Sequence, residues 1–226
     1  MKNKDVIVIV PVFNESNRAV ETIENILKSF EGKVLVIDDG SFDNSYDLLK
    51  KAFFGNKKVY IARHFVNIGK GAAMKTGIEI AEDLGATKVI FVDSDGQHNP
   101  KLIPEFIDGL RYNDIVFGYR VLDGEIPFVR RWGNIVAKRI LKVLFKVDRK
   151  EFLCGFMGFN LDIYDQIEWI STRYGVETEI ATKVARNNLS YKEIKIDTIY
   201  VDKYKGVTLL DAFKVLGKIP FWYFSK

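Results

Sequence analysis

The sequence predicts an α/β protein in which helices cover both faces of a mostly parallel β-sheet. Short runs rich in valine and isoleucine alternate with segments whose apolar residues recur at helical spacing, which is typical of β-α-β units. The runs are continuously apolar, as expected for parallel strands that are buried on both faces. Acidic and other polar residues follow several of them, at the edge where open α/β sheets bind ligands.

The first half of the chain alternates strands and helices, and the second half departs from that order. Strands are predicted at 6–11, 33–38, 59–62, 88–92 and 114–118, with helices near 16–30, 45–54, 71–84 and 100–112. The second half is predicted to contain a basic helix near 130–146, a glycine-interrupted strand at 154–160, a helix at 176–188, a strand at 191–200 and a final helix near 207–224. No repeat or linker divides the chain, so we predict a single domain over residues 1–226.

Composition excludes several classes of protein. Apolar residues make up 47% and charged residues 28% of the 226 residues, which argues against intrinsic disorder. Cys154 is the single cysteine, so we expect no disulfide within the chain and a reducing compartment. No apolar run approaches the roughly 18 residues of a spanning helix. The N-terminal apolar run is too short for a signal peptide and no cleavage site follows it.

Basic residues are concentrated in two segments of a chain whose net charge is only +4. Residues 127–150 contain eight lysines and arginines against one aspartate, and residues 203–226 contain five lysines against one aspartate. The two segments predict a basic surface that faces an anionic partner. A membrane surface, a phosphorylated ligand and nucleic acid are the candidates.

An acidic motif follows the predicted strand at 88–92. Asp93 and Asp95 lie two residues apart, so they point the same way on an extended chain, and a turn at Gly96 lets Gln97 fold back. Two carboxylates and an amide oxygen suit Mg²⁺ or Mn²⁺ and leave positions open for diphosphate oxygens. The glycine and glutamate positions of a helix-loop-helix calcium site are not matched. The alternative is an acidic turn that caps the next helix.

Two other polar segments lie at predicted strand ends. Asp38 and Asp39 are adjacent, and a turn or helix cap needs only one of them, so a carboxylate is available for ribose hydroxyls or a base. Residues 67–71 open a helix with glycines around Lys70, which suits an anion held by helix N-terminal amides. The spacings of the NTPase phosphate loop and of the dinucleotide fingerprint are not present.

Together these segments resemble family 2 glycosyltransferases with the GT-A fold, specifically the dolichyl-phosphate mannose and dolichyl-phosphate glucose synthases. Residues 11–15 resemble their Pro-x-Tyr-Asn-Glu, with Phe13 in place of tyrosine, and residues 36–45 resemble Asp-Asp-Gly-Ser-x-Asp-x-Ser. Residues 67–73 match Asn-x-Gly-Lys-Gly, and residues 93–100 resemble the metal motif Asp-x-Asp-x-Gln-His-x-Pro. The resemblance covers most of the chain, and four ordered motifs at compatible spacings make it specific.

The resemblance implies a role for each matching residue. The expected nucleotide-sugar contacts are Pro11, Phe13, Glu15, Asp38, Asp39, Lys70, Asp93 and Ser94. The expected metal ligands are Asp93, Asp95 and Gln97, and the expected acceptor-phosphate contacts are Arg120, Arg130, Arg131, Lys203 and Lys205. Asp95, Arg120 and Arg130 are the expected catalytic residues. Residues 1–120 would then bind the nucleotide sugar and the metal, and residues 121–226 the acceptor.

Two details bear on the subgroup. Cys-Gly-Phe at 154–156 and the acidic pair Glu177 and Glu179 resemble the glucose-type synthases more than the mannose type. Relatives carry Gly-x-Ser-Lys near the end of the catalytic domain, whereas here Leu209 stands in place of the final lysine. This departure leaves the identity of the acceptor open.

The implied reaction is an inverting transfer of a hexose from a UDP- or GDP-linked donor to dolichyl or polyprenyl phosphate. The acceptor phosphate is ionised at neutral pH, so a strong general base is not required, and the chain has only His64 and His98. We expect His64 to be structural and His98 to be either structural or a support for the metal. The alternatives are a sugar or glycan acceptor and a non-catalytic basic module for lipid or nucleic acid; the favoured hypothesis involves no nucleic acid.

Two amphipathic segments predict contact with a membrane. The helix near 130–146 places apolar residues on one stripe and lysines on another, and the segment near 207–224 ends in four aromatic residues beside lysines. Such helices lie in the membrane interface, so we expect peripheral binding at the cytoplasmic face without a spanning segment. The alternatives are that the stripes pack on the sheet or that the chain docks on a membrane-protein subunit.

Overall fold

A seven-stranded sheet with the order β3-β2-β1-β4-β6-β5-β7 lies at the centre of the described chain. The computed structural model describes residues 5–120, 139, 142, 149–151, 154–173 and 175–197. The strands are β1 (Val6–Val12), β2 (Lys33–Asp38), β3 (Val59–Arg63), β4 (Lys88–Phe91), β5 (Ile115–Arg120), β6 (Met157–Asn160) and β7 (Tyr191–Ile196). The α-helices are α1 (Ser16–Ser29), α2 (Ser45–Ala52), α3 (Lys70–Asp83), α4 (Ile103–Gly109), α5 (Tyr164–Ile167) and α6 (Val176–Arg186), with 3₁₀ turns at Pro100–Leu102 and Leu161–Ile163.

The sheet is parallel except at β6. Strands β3, β2, β1 and β4 run parallel, and so do β5 and β7, whereas β6 runs antiparallel to its neighbours β4 and β5. Phe91 at the carboxyl end of β4 pairs with Met157 at the start of β6. The residues just before β6 therefore lie at the edge of the sheet where β1, β2 and β4 end.

Both faces of the sheet are buried, as the continuous apolar runs predict. In β1, Val6, Val8 and Val10 pack on one face against α1, α2 and α4, while Ile7 and Ile9 pack on the other against α3, α5 and α6. Each fully buried side chain of this kind contributes about 1.5–3 kcal/mol to folding. The predicted mostly parallel α/β sheet with helices on both faces is confirmed.

Three predicted elements differ in detail. The helix predicted at 100–112 starts as the 3₁₀ turn Pro100–Leu102, where the side chain of Asn99 accepts a hydrogen bond from the amide of Lys101 at 3.1 Å. The strand predicted at 154–160 begins only at Met157. The strand predicted at 191–200 is described as far as Ile196, and residues 198–200 lie outside the described chain.

Most of the two predicted amphipathic segments lies outside the described residues. Only Arg139 and Lys142 of the first are described, and both are helical and exposed. Within the described part of the chain, no helix combines the length and the apolar character needed to cross a membrane.

Candidate active site

The loops after β1 and β2 hold each other in place at the carboxyl edge of the sheet. The amide of Asn14 donates to Ser41 Oγ at 3.0 Å, and the amide of Phe42 donates back to Asn14 Oδ1 at 3.1 Å. Ser45 Oγ accepts from the amides of Glu15 and Ser16 at 3.0 and 2.7 Å. Asn14 and Ser16 have φ of 54° and 43°, values that non-glycine residues rarely adopt. The reciprocal hydrogen bonds stabilise this strained backbone.

The predicted nucleotide contacts after β1 differ in accessibility. Pro11 is buried inside the sheet opposite Ile37, and the carboxylate of Glu15 lies 3.4 Å from Arg18. Phe13 is exposed, and its ring meets that of Phe42 edge-on at 5.6 Å between centroids. Phe13 is therefore the most exposed residue of this motif.

Asp39 organises the loop that leads into α3. Its carboxylate accepts hydrogen bonds from the amide of Ile68 at 3.1 Å, the amide of Gly69 at 2.8 Å and Asn67 Nδ2 at 2.9 Å. His64 Nδ1 lies 2.8 Å from Asp39, and His64 Nε2 lies 3.1 Å from Thr76 Oγ1. His64 thus has the structural role expected of it.

Asp38 is fully buried but is less completely paired than Asp39. Its Oδ2 lies 3.1 Å from Arg63 Nε and accepts from the amide of Ser41 at 3.3 Å. Its Oδ1 has no hydrogen-bond partner among the described residues. A buried carboxylate oxygen without a donor carries a desolvation cost, so this atom is an unsatisfied acceptor at the β2 edge.

Lys70 joins two carboxylates at the start of α3. Its Nζ lies 2.5 Å from Asp93 Oδ1, after β4, and 2.8 Å from Glu177 Oε1, in the first turn of α6. Partial burial alone would raise the pKa of Asp93, but the charges of Lys70 and His98 lower it to about 2. Burial would lower the pKa of Lys70, and the two carboxylates raise it instead. Lys70 and Asp93 are therefore both charged at neutral pH.

The rest of the acidic motif forms a tight turn. Gly96 has a φ of 74°, and the amide of Gln97 donates to Asp95 Oδ1 at 2.9 Å. Ser94 is buried, and its carbonyl accepts from Thr22 Oγ1 at 3.2 Å. Asp95 and Gln97 are partly exposed, so their remaining oxygens are accessible. Asp95 and Gln97, unlike Ser94, can reach a ligand with their side chains.

His98 is buried and packs against this turn. Burial lowers its pKa, while the nearby carboxylates of Asp93 and Asp95 oppose the shift. Its ring stacks on Phe156 at 5.3 Å between centroids, and Nδ1 lies 3.4 Å from the amide of Asp93. Both acidic side chains of the motif thus lie close to one buried imidazole.

Gly155 allows Asp93 to approach the chain before β6. A Cβ atom at this position would lie 2.4 Å from Asp93 Oδ2 and 2.5 Å from Lys70 Nζ. The preceding residue, Cys154, is buried, and burial raises the pKa of its thiol to about 12. Cys154 is therefore an inert packing residue, whereas Gly155 forms a wall of the site.

Arg120 faces the same site from the end of β5. Its backbone amide and its guanidinium both donate to the carboxylate of Glu151, with Arg120 Nε 2.9 Å from Glu151 Oε1. Burial would lower the pKa of Arg120, but Glu151 raises it, and Arg120 in turn helps lower the pKa of Asp93. The guanidinium is thus permanently charged and near Asp93.

The donor set fits a hard divalent cation that is shared with a ligand. Among the described residues, no three His, Cys, Asp or Glu side chains are arranged to hold a metal by themselves. Asp93, Asp95 and Gln97 offer oxygens on one turn, and Gly155, which has no side chain, lets the Asp93 carboxylate lie close to the chain before β6. Diphosphate oxygens would supply the remaining positions that Mg²⁺ or Mn²⁺ requires.

Arg130, Arg131, Lys203 and Lys205 lie outside the described residues, so their roles stay predictions. Glu151 is a site residue that sequence reasoning missed, because nothing in its local sequence connects it to Arg120. The sequence indicates Glu177 only as part of an acidic pair that resembles the glucose-type synthases, whereas its contact with Lys70 joins residues 107 positions apart.

These observations define the class of protein: an α/β domain whose ligand site lies beyond the carboxyl ends of parallel strands, with paired acidic and basic groups suited to a phosphorylated ligand. A family model described as Glycosyl transferase family 2 matches residues 7–167. The chain belongs to this family of glycosyltransferases.

Relatives of similar length support the assignment. An uncharacterized protein of Methanocaldococcus jannaschii is 31% identical, over 96% of this chain and 92% of its own. A UDP-N-acetylglucosamine–dolichyl-phosphate N-acetylglucosaminyltransferase of Methanococcus voltae is 26% identical, over 97% of this chain and 96% of its own.

The fold is similar to a solved enzyme. Glucosyl-3-phosphoglycerate synthase of Mycobacterium tuberculosis, in a complex with Mn²⁺, UDP and phosphoglyceric acid, superposes with a TM-score of 0.76 at 17% identity. The match covers 98% of this chain and 79% of the synthase. The GT-A fold is therefore confirmed for this chain.

Proposed function

We propose that this glycosyltransferase transfers a hexose from a UDP- or GDP-linked donor to dolichyl or polyprenyl phosphate, with inversion of the anomeric configuration. The observation that carries the proposal is the placement of Asp93, Asp95, Lys70 and Arg120 around one edge of the sheet. This arrangement combines oxygen ligands for a cation with basic groups for two phosphorylated substrates. Similarity to the dolichyl-phosphate enzyme of Methanococcus voltae over nearly the whole chain supports the acceptor class.

The nucleoside is proposed to bind over the ends of β1 and β2. Phe13 presents an exposed ring beside Phe42, and the buried Oδ1 of Asp38 can accept a hydrogen bond from a base or ribose. Asp39 is saturated with protein donors, so we assign it the indirect role of holding residues 67–69. Pro11, Glu15 and Ser94 would shape this region.

The diphosphate is proposed to bind between β4 and α3, with Mg²⁺ or Mn²⁺ on Asp93, Asp95 and Gln97. The divalent ion would act as a Lewis acid that neutralises the charge growing on the leaving diphosphate. Lys70, at the N-terminus of α3, adds a positive charge on the same side. The solved synthase with the same fold holds Mn²⁺ and UDP, which supports such a site.

The acceptor phosphate needs positive charge more than it needs a base. The second pKa of a phosphate monoester is about 6, so at neutral pH the phosphate carries an ionised oxygen that can act as the nucleophile. Arg120 is charged and lies near Asp93, where it can draw the acceptor anion toward the anomeric carbon. Arg130, Arg131, Lys203 and Lys205 are proposed to complete this basic surface.

The lipid tail of the acceptor implies a membrane. We propose peripheral binding at the cytoplasmic face through the segments near 130–146 and 207–224, or docking on a membrane-protein subunit. The concentration of lysine and arginine in these segments supports an anionic surface, at about 1 kcal/mol for each basic residue near the membrane.

An assay with matched acceptors tests the proposal. Purified protein would be incubated with Mn²⁺, with UDP-glucose, UDP-N-acetylglucosamine or GDP-mannose in turn, and with a short polyprenyl phosphate, a free sugar or phosphoglycerate. We expect one donor to yield a polyprenyl product of inverted configuration by mass spectrometry and NMR. Transfer only to a sugar or to phosphoglycerate, or a product of retained configuration, would contradict the proposal.

Membrane binding is tested separately by flotation with anionic liposomes. We expect the full chain to float with vesicles that contain anionic lipid and to remain at the bottom with neutral vesicles. Failure to float, together with activity on a detergent-solubilised acceptor, would favour docking on a subunit.

A further inference from the structure

Lys70 contacts a carboxylate oxygen that the proposed metal ion would bind. Its ammonium lies 2.5 Å from Asp93 Oδ1, the carboxylate that is proposed to bind a divalent cation, and 2.8 Å from Glu177 Oε1. A monovalent cation in contact with Asp93 competes with any other cation for that oxygen. The structure therefore contains a competitor for the metal, built into the chain.

Glu177 provides Lys70 with a second partner. Its side chain is 12% exposed, compared with 26% for Asp93, so the pair with Lys70 is the less accessible to water of the two. Lys70 can therefore lose its contact with Asp93 and still be neutralised. Without Glu177, the same loss would leave a lysine uncompensated beside a divalent ion.

The backbone holds Lys70 and Glu177 in a fixed relation. Glu179 accepts hydrogen bonds from the amides of Ile170 and Ser171 at 2.8 and 2.9 Å, which ties α6 to the loop before it. The carbonyl of Thr172 in that loop accepts from the amide of Gly71 at 2.8 Å. The start of α3 and the start of α6 are thus held together independently of the Lys70 side chain.

We propose that Lys70 is an exchangeable counter-cation, which neutralises Asp93 in the absence of a divalent ion and is held by Glu177 when a divalent ion binds Asp93. Glu177 is then a positioning residue for Lys70, and it acts on metal affinity only through that lysine. This inference rests on the proposed metal site at Asp93, Asp95 and Gln97.

A double-mutant cycle on Mn²⁺ binding tests the inference. Binding would be measured by electron paramagnetic resonance of free Mn²⁺, with no nucleotide present, for wild type, Lys70→Met, Glu177→Gln and the double variant. We expect Lys70→Met to bind Mn²⁺ about threefold to tenfold more tightly and Glu177→Gln about tenfold more weakly. In the Lys70→Met background, Glu177→Gln should change the affinity by less than about twofold, because the lysine that it positions is gone.

The chain offers a matched control. Lys75, on the same helix, forms its ion pair with Glu168, at 2.6 Å, and not with Asp93. Lys75→Met and Glu168→Gln remove the same charges from an ion pair that does not include a proposed metal ligand. We therefore expect the Mn²⁺ affinity of each variant to stay within about twofold of wild type. Lys70→Gln replaces Lys70→Met in the cycle if circular dichroism shows that the methionine variant does not fold.

Two results would overturn the inference while leaving the metal site intact. One is weaker Mn²⁺ binding by Lys70→Met, which would mean that Lys70 simply holds Asp93 in place. The other is an equal effect of Glu177→Gln in both backgrounds, which would mean that the glutamate acts through its own charge. By contrast, no Mn²⁺ binding by wild type, with or without UDP, would contradict the proposed function itself.

Discussion

The carboxylates at the ends of β2 and β4 occupy equivalent places in the sheet, yet their surroundings differ. The side chain of Asp39 is 3% exposed and accepts hydrogen bonds from two amides and an asparagine, with a histidine at hydrogen-bonding distance. The side chain of Asp93 is 26% exposed and is paired with the ammonium of Lys70. Two of the four partners of Asp39 are backbone amides, whereas Asp93 is paired with the end of one long side chain.

This difference indicates which carboxylates build the site and which are available to react with ligands. Removing the partners of Asp39 would disrupt the chain path from β3 to α3, because three consecutive residues depend on one carboxylate. Removing the partner of Asp93 requires only rotation of the Lys70 side chain. We therefore expect substitutions at the β2 end to affect folding and substitutions at the β4 end to affect activity.

The largest expected effect is on activity at the β4 end. Asp95→Ala should lower kcat by about a hundredfold to a thousandfold, because a ligand of the ion that stabilises the leaving group is lost. Steady-state assay with the preferred donor measures this, and the free energy of unfolding should fall by no more than about 1 kcal/mol, because the hydrogen bond from the amide of Gln97 is lost. Asp108→Ala, at an exposed position paired with Arg111, is the control and should retain full activity. Full activity of Asp95→Ala would contradict the assignment of the carboxylates at the end of β4 to activity.

The next effect is on stability at the β2 end. Asp39→Ala leaves the amides of Ile68 and Gly69 and the side chain of Asn67 without their acceptor, so the free energy of unfolding should fall by about 3 kcal/mol. Urea denaturation followed by circular dichroism gives the value. Asp43→Ala, in the same loop region but with fewer buried partners, should cost about 1 kcal/mol. Equal losses for the two variants would contradict the role given to Asp39.

Acid titration sharpens the comparison at Asp93. The folded-state pKa of Asp93 is about 2, below its ordinary value of 3.8, so its contribution to stability is present above pH 4 and is lost as the pH falls toward 2. The shift corresponds to about 2 kcal/mol at neutral pH. The difference in unfolding free energy between wild type and Asp93→Asn should therefore be largest near pH 6 and should shrink by most of that amount near pH 2. A difference that does not vary with pH would show that the ion pair with Lys70 does not stabilise the fold.

The smallest expected effect concerns the glycine wall. Gly155→Ala places a Cβ against the ends of Asp93 and Lys70, which can rotate away, so we expect about tenfold weaker Mn²⁺ binding and a stability loss within about 1 kcal/mol. Calorimetric titration measures the former and thermal unfolding the latter. Gly109→Ala, whose Cβ would lie 2.8 Å from Val116 far from the site, is the matched control for crowding. It should cost similar stability and leave Mn²⁺ binding unchanged.

Much of the fold follows from the sequence because its signals are local. The apolar runs of β1, β2 and β4 and the amphipathic pattern of α1 determine their own burial, and their observed bounds lie within a few residues of the predicted ones. Pro100 and the capping side chain of Asn99 favour the 3₁₀ turn that precedes α4. The spacing of apolar residues alone does not predict this turn. The antiparallel direction of β6 depends on pairing with β4 and β5, which no local pattern encodes.

By itself, the sequence determined the strand-helix alternation and the acidic residues at strand ends, since a carboxylate after a buried strand must lie at the sheet edge. Only the tertiary structure decided how each carboxylate is used. Asp39 accepts hydrogen bonds from a loop about 30 residues further along the chain. Arg120 pairs with Glu151, and Lys70 pairs with Glu177, which is 107 positions away in the sequence. Charge pairing depends on distances of a few ångströms in space, and chain folding sets those distances independently of sequence separation.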